Sequence, residues 1–169
     1  MQRRTLLQLG LTSAAALAVA GGAVAWLRPG LLPSGALSAT GREVFAAVGR
    51  AALTKSLPDV EAARQIALQG LLARIDALVQ ALPPHPQAEL SQLLSLLGST
   101  PGRRAFARLR QPWREAAVAD IQQALQGMRL STLPLRQQAY GALHDISTGA
   151  YFSDPASWSM LGYPGPRKI

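Results

Sequence analysis

"PDVEAARQIALQGLLARIDALVQALPP", residues 58–84, decides the fold. Pro58 and Asp59 open it, and apolar residues then recur at Val60, Ala63, Ile66, Ala67, Leu71, Ile75, Leu78, Val79 and Leu82. Steps of three and four residues put an apolar stripe along one face of a helix that runs to about Leu82. The prolines of "PPHP", residues 83–86, break the chain there.

The same period continues on both sides. Upstream, Thr40 and Glu43 stand at capping-box spacing before Val44, Phe45, Val48, Ala52 and Leu53. Downstream, Leu90, Leu93, Leu94 and Leu97 mark a helix that Gly98 stops. "STPGRRAFARLR" restarts with Ser99 or Thr100 as cap and Pro101 in the first turn. Val118, Ile121, Leu125 and Met128 pattern a helix over residues 115–128. Ser131 or Thr132 caps a last one carrying Leu135, Ala139, Leu143 and Ile146. No strand-like alternation, fixed-period repeat or low-complexity tract interrupts them. Short connections between consecutive helices predict an all-α fold, a small antiparallel helical bundle.

Composition agrees. The chain has 169 residues, 49% hydrophobic and 15% charged, which suits one domain with a real core and excludes a disordered chain. Ala and Leu supply most of the apolar content and aromatics only 5%, favouring helix over sheet. With no Cys, disulfides, thiolate chemistry, c-type haem attachment and Cys-ligated metal centres are excluded. Net charge is +8, from 17 Lys+Arg against 9 Asp+Glu, nearly all of the cations being Arg. Such a balance suits nucleic acid, anionic lipid or an acidic protein unless genome composition alone sets it.

The N-terminus chooses among these. Arg3-Arg4, one variable residue, Leu6-Leu7 and Gln8 precede an apolar run reaching Leu27. This layout resembles a twin-arginine (Tat) export signal. The run is long enough to span a bilayer, but Ala, Gly, Ser and Thr dominate its middle and favour insertion far less than Leu or Val. Ala23 and Ala25 offer small residues to signal peptidase, and Ala18-Val19-Ala20 is a second candidate. Trp26 directly after the first site keeps an uncleaved anchor open. The expected organisation is a signal peptide over 1–25, a Pro/Gly/Ser-rich linker over 26–39, and a helical domain over 40–169 with an irregular tail from about 151. Export argues against nucleic acid as a partner.

Candidate chemistry is sparse. His85 lies between prolines, and His144 and Asp145 are neighbours whose side chains leave a helix about 100° apart. No spacing suited to metal ligands and no phosphate-cradling Gly motif occurs. These observations predict a non-catalytic chain with no cofactor or metal of its own. Arg103, Arg104, Arg108, Arg110 and Arg114 fall in a stretch without an acidic residue. That stretch is either a solvated helix face or a dock for acidic protein or anionic headgroups. The tail holds Tyr151, Phe152, Trp158 and Tyr163, four of the nine aromatic residues, with Pro164 and Pro166. These side chains either fold back over the bundle or anchor a partner.

"LRQQAYGALHDISTGAYFSDPASWSMLGYPGP", residues 135–166, resembles the C-terminal region of the gluconate 2-dehydrogenase subunit 3 family. These are the twin-arginine-bearing small subunits of membrane-associated, FAD-dependent sugar dehydrogenases. The resemblance implies a non-catalytic escort that binds a flavoprotein of the glucose–methanol–choline type, stabilises it and lends it an export signal through the Tat translocase. FAD, and haem c on a multi-haem cytochrome c subunit, would sit on the partners. The location implied is periplasmic, with membrane association through the complex or through an uncleaved signal. Outside this family, the sequence leaves open a free-standing exported helical protein that binds a lipid or small ligand, and an enzyme built on His144 and Asp145.

Overall fold

The computed structural model describes residues 28–158 and 162–165. The chain is all-α, a small bundle with six α-helices among the described residues: α1 Ala39–Ala52, α2 Glu61–Gln80, α3 Pro84–Gly98, α4 Thr100–Gly102, α5 Val118–Arg129 and α6 Pro134–Phe152. A π-helical turn, Arg103–Ala107, continues α4, and a 3₁₀ turn, Pro155–Ser157, follows α6. No strand is present among the described residues, and none of their helices is long and apolar enough to cross a membrane. The paired arginines, Leu6, Leu7, Ala23, Ala25 and Pro166 lie outside the described residues.

α1 occupies the centre and touches α2, α3, α5 and α6. Its Val44, Phe45, Ala47 and Val48 are fully buried. The helix begins two residues earlier than Thr40–Glu43 spacing suggests. Ser38 is the cap, its Oγ accepting the Gly41 N–H at 3.2 Å and donating to the Pro29 carbonyl at 2.6 Å. Two glycines permit the close approach of neighbours. A Cβ at Gly41 would stand 2.4 Å from the Gly30 carbonyl oxygen, and one at Gly49 would stand 2.7 Å from Leu71 Cδ2.

Residues 28–38, read from composition as linker, are part of the folded body. Leu31 and Leu37 pair as an isolated antiparallel bridge, and both side chains are buried. The backbone N–H of Leu31 donates to Ser91 Oγ at 3.1 Å on α3, and that of Leu37 to Asp76 Oδ1 at 2.7 Å on α2. Asp76 also pairs with Arg42 of α1. Proline and glycine here shape a turn; the two leucines hold it to the bundle.

The helical stripes are buried largely as their spacing predicts: Leu71, Ile75 and Val79 on α2, Leu90, Leu94 and Leu97 on α3, Ile121, Leu125 and Met128 on α5, and Ala139 and Leu143 on α6. Val60 and Ile66, at the start of the second helix, are exposed, and in α1 Ala51 is buried in place of Ala52; several others, among them Leu78, Leu93, Leu135 and Ile146, are only partly covered. Trp113 lies between helices and is the largest fully buried side chain. Its indole N–H donates to the Leu97 carbonyl at 2.8 Å, satisfying an end of α3 that helical bonding leaves free. Arg50 of α1 reaches the Trp113 carbonyl at 3.1 Å, so the link runs from α3 through the connection to α1.

Trp113→Phe deletes the indole N–H and part of its volume while keeping a ring. The Leu97 carbonyl loses its buried partner and a cavity opens, so unfolding stability should fall by about 2–4 kcal/mol. Urea denaturation checks this as a lower midpoint at unchanged slope; an unmoved midpoint removes Trp113 as a pin.

Candidate functional site

Two depressions and the C-terminal segment hold the candidate surfaces. The first is a basic cleft. Ser99 caps α4 by accepting the Gly102 N–H at 3.1 Å, and the chain then widens into the π turn. That turn ends at Arg108, the single non-glycine residue with positive φ (55°) among those described. The left-handed backbone turns the chain back toward α5 and α6. The resulting cleft, about 560 Å³, is lined by Arg108, Arg110 and Gln111, by Asp120, Gln123 and Gly127 of α5, and by Arg136 of α6.

Arg136 is buried. Its Nε donates to the Phe106 carbonyl at 2.8 Å and its Nη1 to Ser131 Oγ at 3.3 Å, whereas buried Nη2 has no hydrogen-bond partner among the described residues. Burial pushes the guanidinium pKa down, and the positive charge of Arg108 adds to the effect. Sequence reasoning missed Arg136. It sits alone on an otherwise ordinary helix, and nothing local announces that the basic stretch of residues 103–114 folds against it. Within that stretch the structure separates the members: Arg103 is buried, while Arg104, Arg108, Arg110 and Arg114 are exposed.

The second depression is an apolar groove of about 250 Å³ between α3 and α6. Leu90, Leu93 and Leu96 form one wall and Leu135, Ala142 and Ile146 the other. Leu135 and Ile146 are only partly covered, so the apolar stripe of α6 divides between core and groove.

The C-terminal aromatic residues have different fates. α6 runs through Phe152, so Tyr151 and Phe152 are helical, not part of an irregular tail. Tyr151 is only 6% exposed, and its hydroxyl donates to the Ser56 carbonyl at 2.5 Å. It is a core residue, which removes it from the candidate partner anchors. Phe152 is half-buried and meets Tyr151 edge-on at 5.2 Å. Arg74 of α2 grips the end of α6, its Nε bonding the Ala150 carbonyl at 2.8 Å and its Nη1 the Asp154 carboxylate at 2.9 Å. A cation suits that negative helix end. Trp158 folds back: its indole N–H donates to the Phe152 carbonyl at 2.8 Å and its ring meets Tyr163 at 5.4 Å. Tyr163 and Pro164 are exposed.

His144 and Asp145 do meet, Nδ1 to Oδ1 at 3.1 Å, on an open face where His144 stacks on Tyr140. His85 lies 3.6 Å from Glu89 and is exposed. No group of three or more His, Asp or Glu side chains suited to a metal occurs among the described residues.

No family model matches the chain, nor does any curated protein or solved structure.

Burial raises the Tyr151 pKa above its ordinary value of 10.0, with Arg74 opposing and Asp154 reinforcing the shift. The unfolded phenol ionises near pH 10 while the folded one keeps its proton. The stabilisation is therefore complete below that pH and is lost as pH rises through and beyond it. Stability should decline above about pH 10, and Tyr151→Phe should flatten that limb. Urea midpoints across pH 8–11 check it; parallel curves for the two proteins refute it.

Proposed function

We propose that this chain is the non-catalytic small subunit and export escort of a periplasmic FAD-dependent dehydrogenase of the glucose–methanol–choline type acting on a sugar or alcohol. The carrying observation is the conjunction at the two ends of the sequence. Arg3-Arg4 with Leu6-Leu7 form a twin-arginine layout, and residues 135–166 resemble the escort family. Twin-arginine export moves folded cargo, which is what a flavoprotein loaded with FAD before crossing requires.

On this reading, the partner docks on α6 and its tail. The resembling stretch is α6 and its tail, and its outward apolar side chains are Leu135, Ala142 and Ile146 in the groove, then Tyr163 beyond Trp158. The groove is open and apolar, suited to an apolar side chain of the flavoprotein. Trp158 serves this surface from within, latching the tail to the end of α6. The open groove also favours a second reading, a free-standing exported protein that takes a small apolar ligand in the same place.

Purification of tagged chain from the periplasm tests the proposal. A dehydrogenase carrying flavin should co-purify, visible by its absorbance. Ile146→Glu should weaken the pair at least thirtyfold, about 2 kcal/mol, with helicity unchanged by circular dichroism. Replacing Arg3 and Arg4 by Lys should leave both proteins in the cytoplasm; unchanged delivery refutes the twin-arginine reading, because general secretion needs only the positive charge. A chain that leaves the periplasm alone and colourless refutes the escort reading; an apolar ligand in its place supports the second. Changing His144 and Asp145 to Ala should keep turnover of the assembled pair within a few-fold. A loss approaching the 10²–10⁴-fold typical of a removed general acid–base makes this chain catalytic.

A further inference from the structure

We propose that the cleft between the π turn, α5 and α6 binds a phosphate monoester group, with Arg136 Nη2 as its innermost donor and Arg108 and Arg110 closing over it. Three observations carry this.

The first is the unfinished hydrogen bonding of Arg136. Two of its nitrogens are spent on Phe106 and Ser131, which fixes the plane of the guanidinium; the third, buried, has no partner among the described residues. An unmet donor on a buried cation is costly. Gly127 faces this nitrogen: a Cβ there would lie 3.8 Å from Nη2, and both residues line the cleft. No side chain at 127 stands in the way.

The second is charge. Arg108, Arg110 and Arg136 line the cleft against one carboxylate, Asp120, leaving an excess of two positive charges. Arg108 already disfavours the charge on Arg136, so the like charges of the cleft repel one another. A dianion balances it, whereas a single carboxylate leaves half of the excess. Guanidinium forks and phosphate oxygens also match in geometry.

The third is strain. Arg108 holds φ at 55°, a conformation that L side chains other than Asn and Asp rarely adopt. Where the surroundings impose such a backbone it often serves a site. Here it brings the Arg108 side chain to the mouth of the cleft. The cleft, about 560 Å³, also has room for an organic group attached to the phosphate.

The test uses the full chain and inorganic phosphate as probe, at constant ionic strength in a buffer free of other multivalent anions. ³¹P NMR should show a saturable shift of the phosphate signal. At ten times the Kd, phosphate should raise Tm by about 3–5 °C. Arg108→Asn tolerates the left-handed backbone, so it should fold and bind at least tenfold more weakly. Arg136→Lys, which keeps the charge but loses the fork, should also bind at least tenfold more weakly if folded. Lys55→Gln removes an exposed cation outside the cleft and should bind like the wild type. Co-sedimentation with phosphatidylcholine vesicles containing phosphatidic acid identifies the source. Sedimentation reversed by free phosphate points to a lipid headgroup; its absence, with the NMR titration intact, points to a soluble ester. No saturable shift with the wild type overturns the proposal, as does an Arg108→Asn titration that matches it.

Discussion

The bundle depends on how closely four helices approach α1. This helix is only 14 residues long, yet α2, α3, α5 and α6 all rest on it. Large side chains around its whole girth would hold those neighbours apart. Its sequence instead alternates Val44, Phe45 and Val48 with Gly41, Ala47, Gly49 and Ala51, so neighbouring backbone and side chains settle directly against it. Much of the rest follows from that closeness. The residue 28–38 turn can reach from Asp76 to Ser91, and Arg50 can reach Trp113, because α1 leaves so little space between its neighbours.

Two arginines show how differently the structure treats the same side chain. Arg74 sits where two helices meet and spends its donors on the Ala150 carbonyl and the Asp154 carboxylate. Arg136 sits deeper, beside a second cation, and is left with a donor unmet. A guanidinium that served only to fasten α6 to the π turn would favour the first pattern. The region around Arg74 is organised for holding itself together, whereas the region around Arg136 leaves a donor for the phosphate group proposed above.

The helices were legible in the sequence because their signal is local. The three-and-four spacing of Leu71, Ile75 and Val79, or of Leu90, Leu94 and Leu97, needs no knowledge of what lies opposite. Features set by distant contacts were not legible. Tyr151 reads as a tail aromatic until Ser56, 95 residues away, takes its hydroxyl. Leu31 and Leu37 read as linker until Asp76, 39 residues from Leu37, accepts its N–H. The basic stretch of residues 103–114 was visible as composition, but its folding into a π turn against Arg136 was not. Ile66 shows the converse: its spacing fits the stripe of α2, yet among the described residues it is left exposed.

The turn over residues 28–38 also sets a distance. The Ser38 hydroxyl bonds the Pro29 carbonyl, so the folded body already begins at Pro29. Ala25 is four residues upstream, about 14 Å even when fully extended. A membrane-bound peptidase cutting after Ala25 would have to fit between the lipid surface and a finished bundle, with almost no slack. Under the twin-arginine export proposed above, which carries cargo already folded, this standoff favours cleavage after Ala20, five residues further out, or a leader that stays attached.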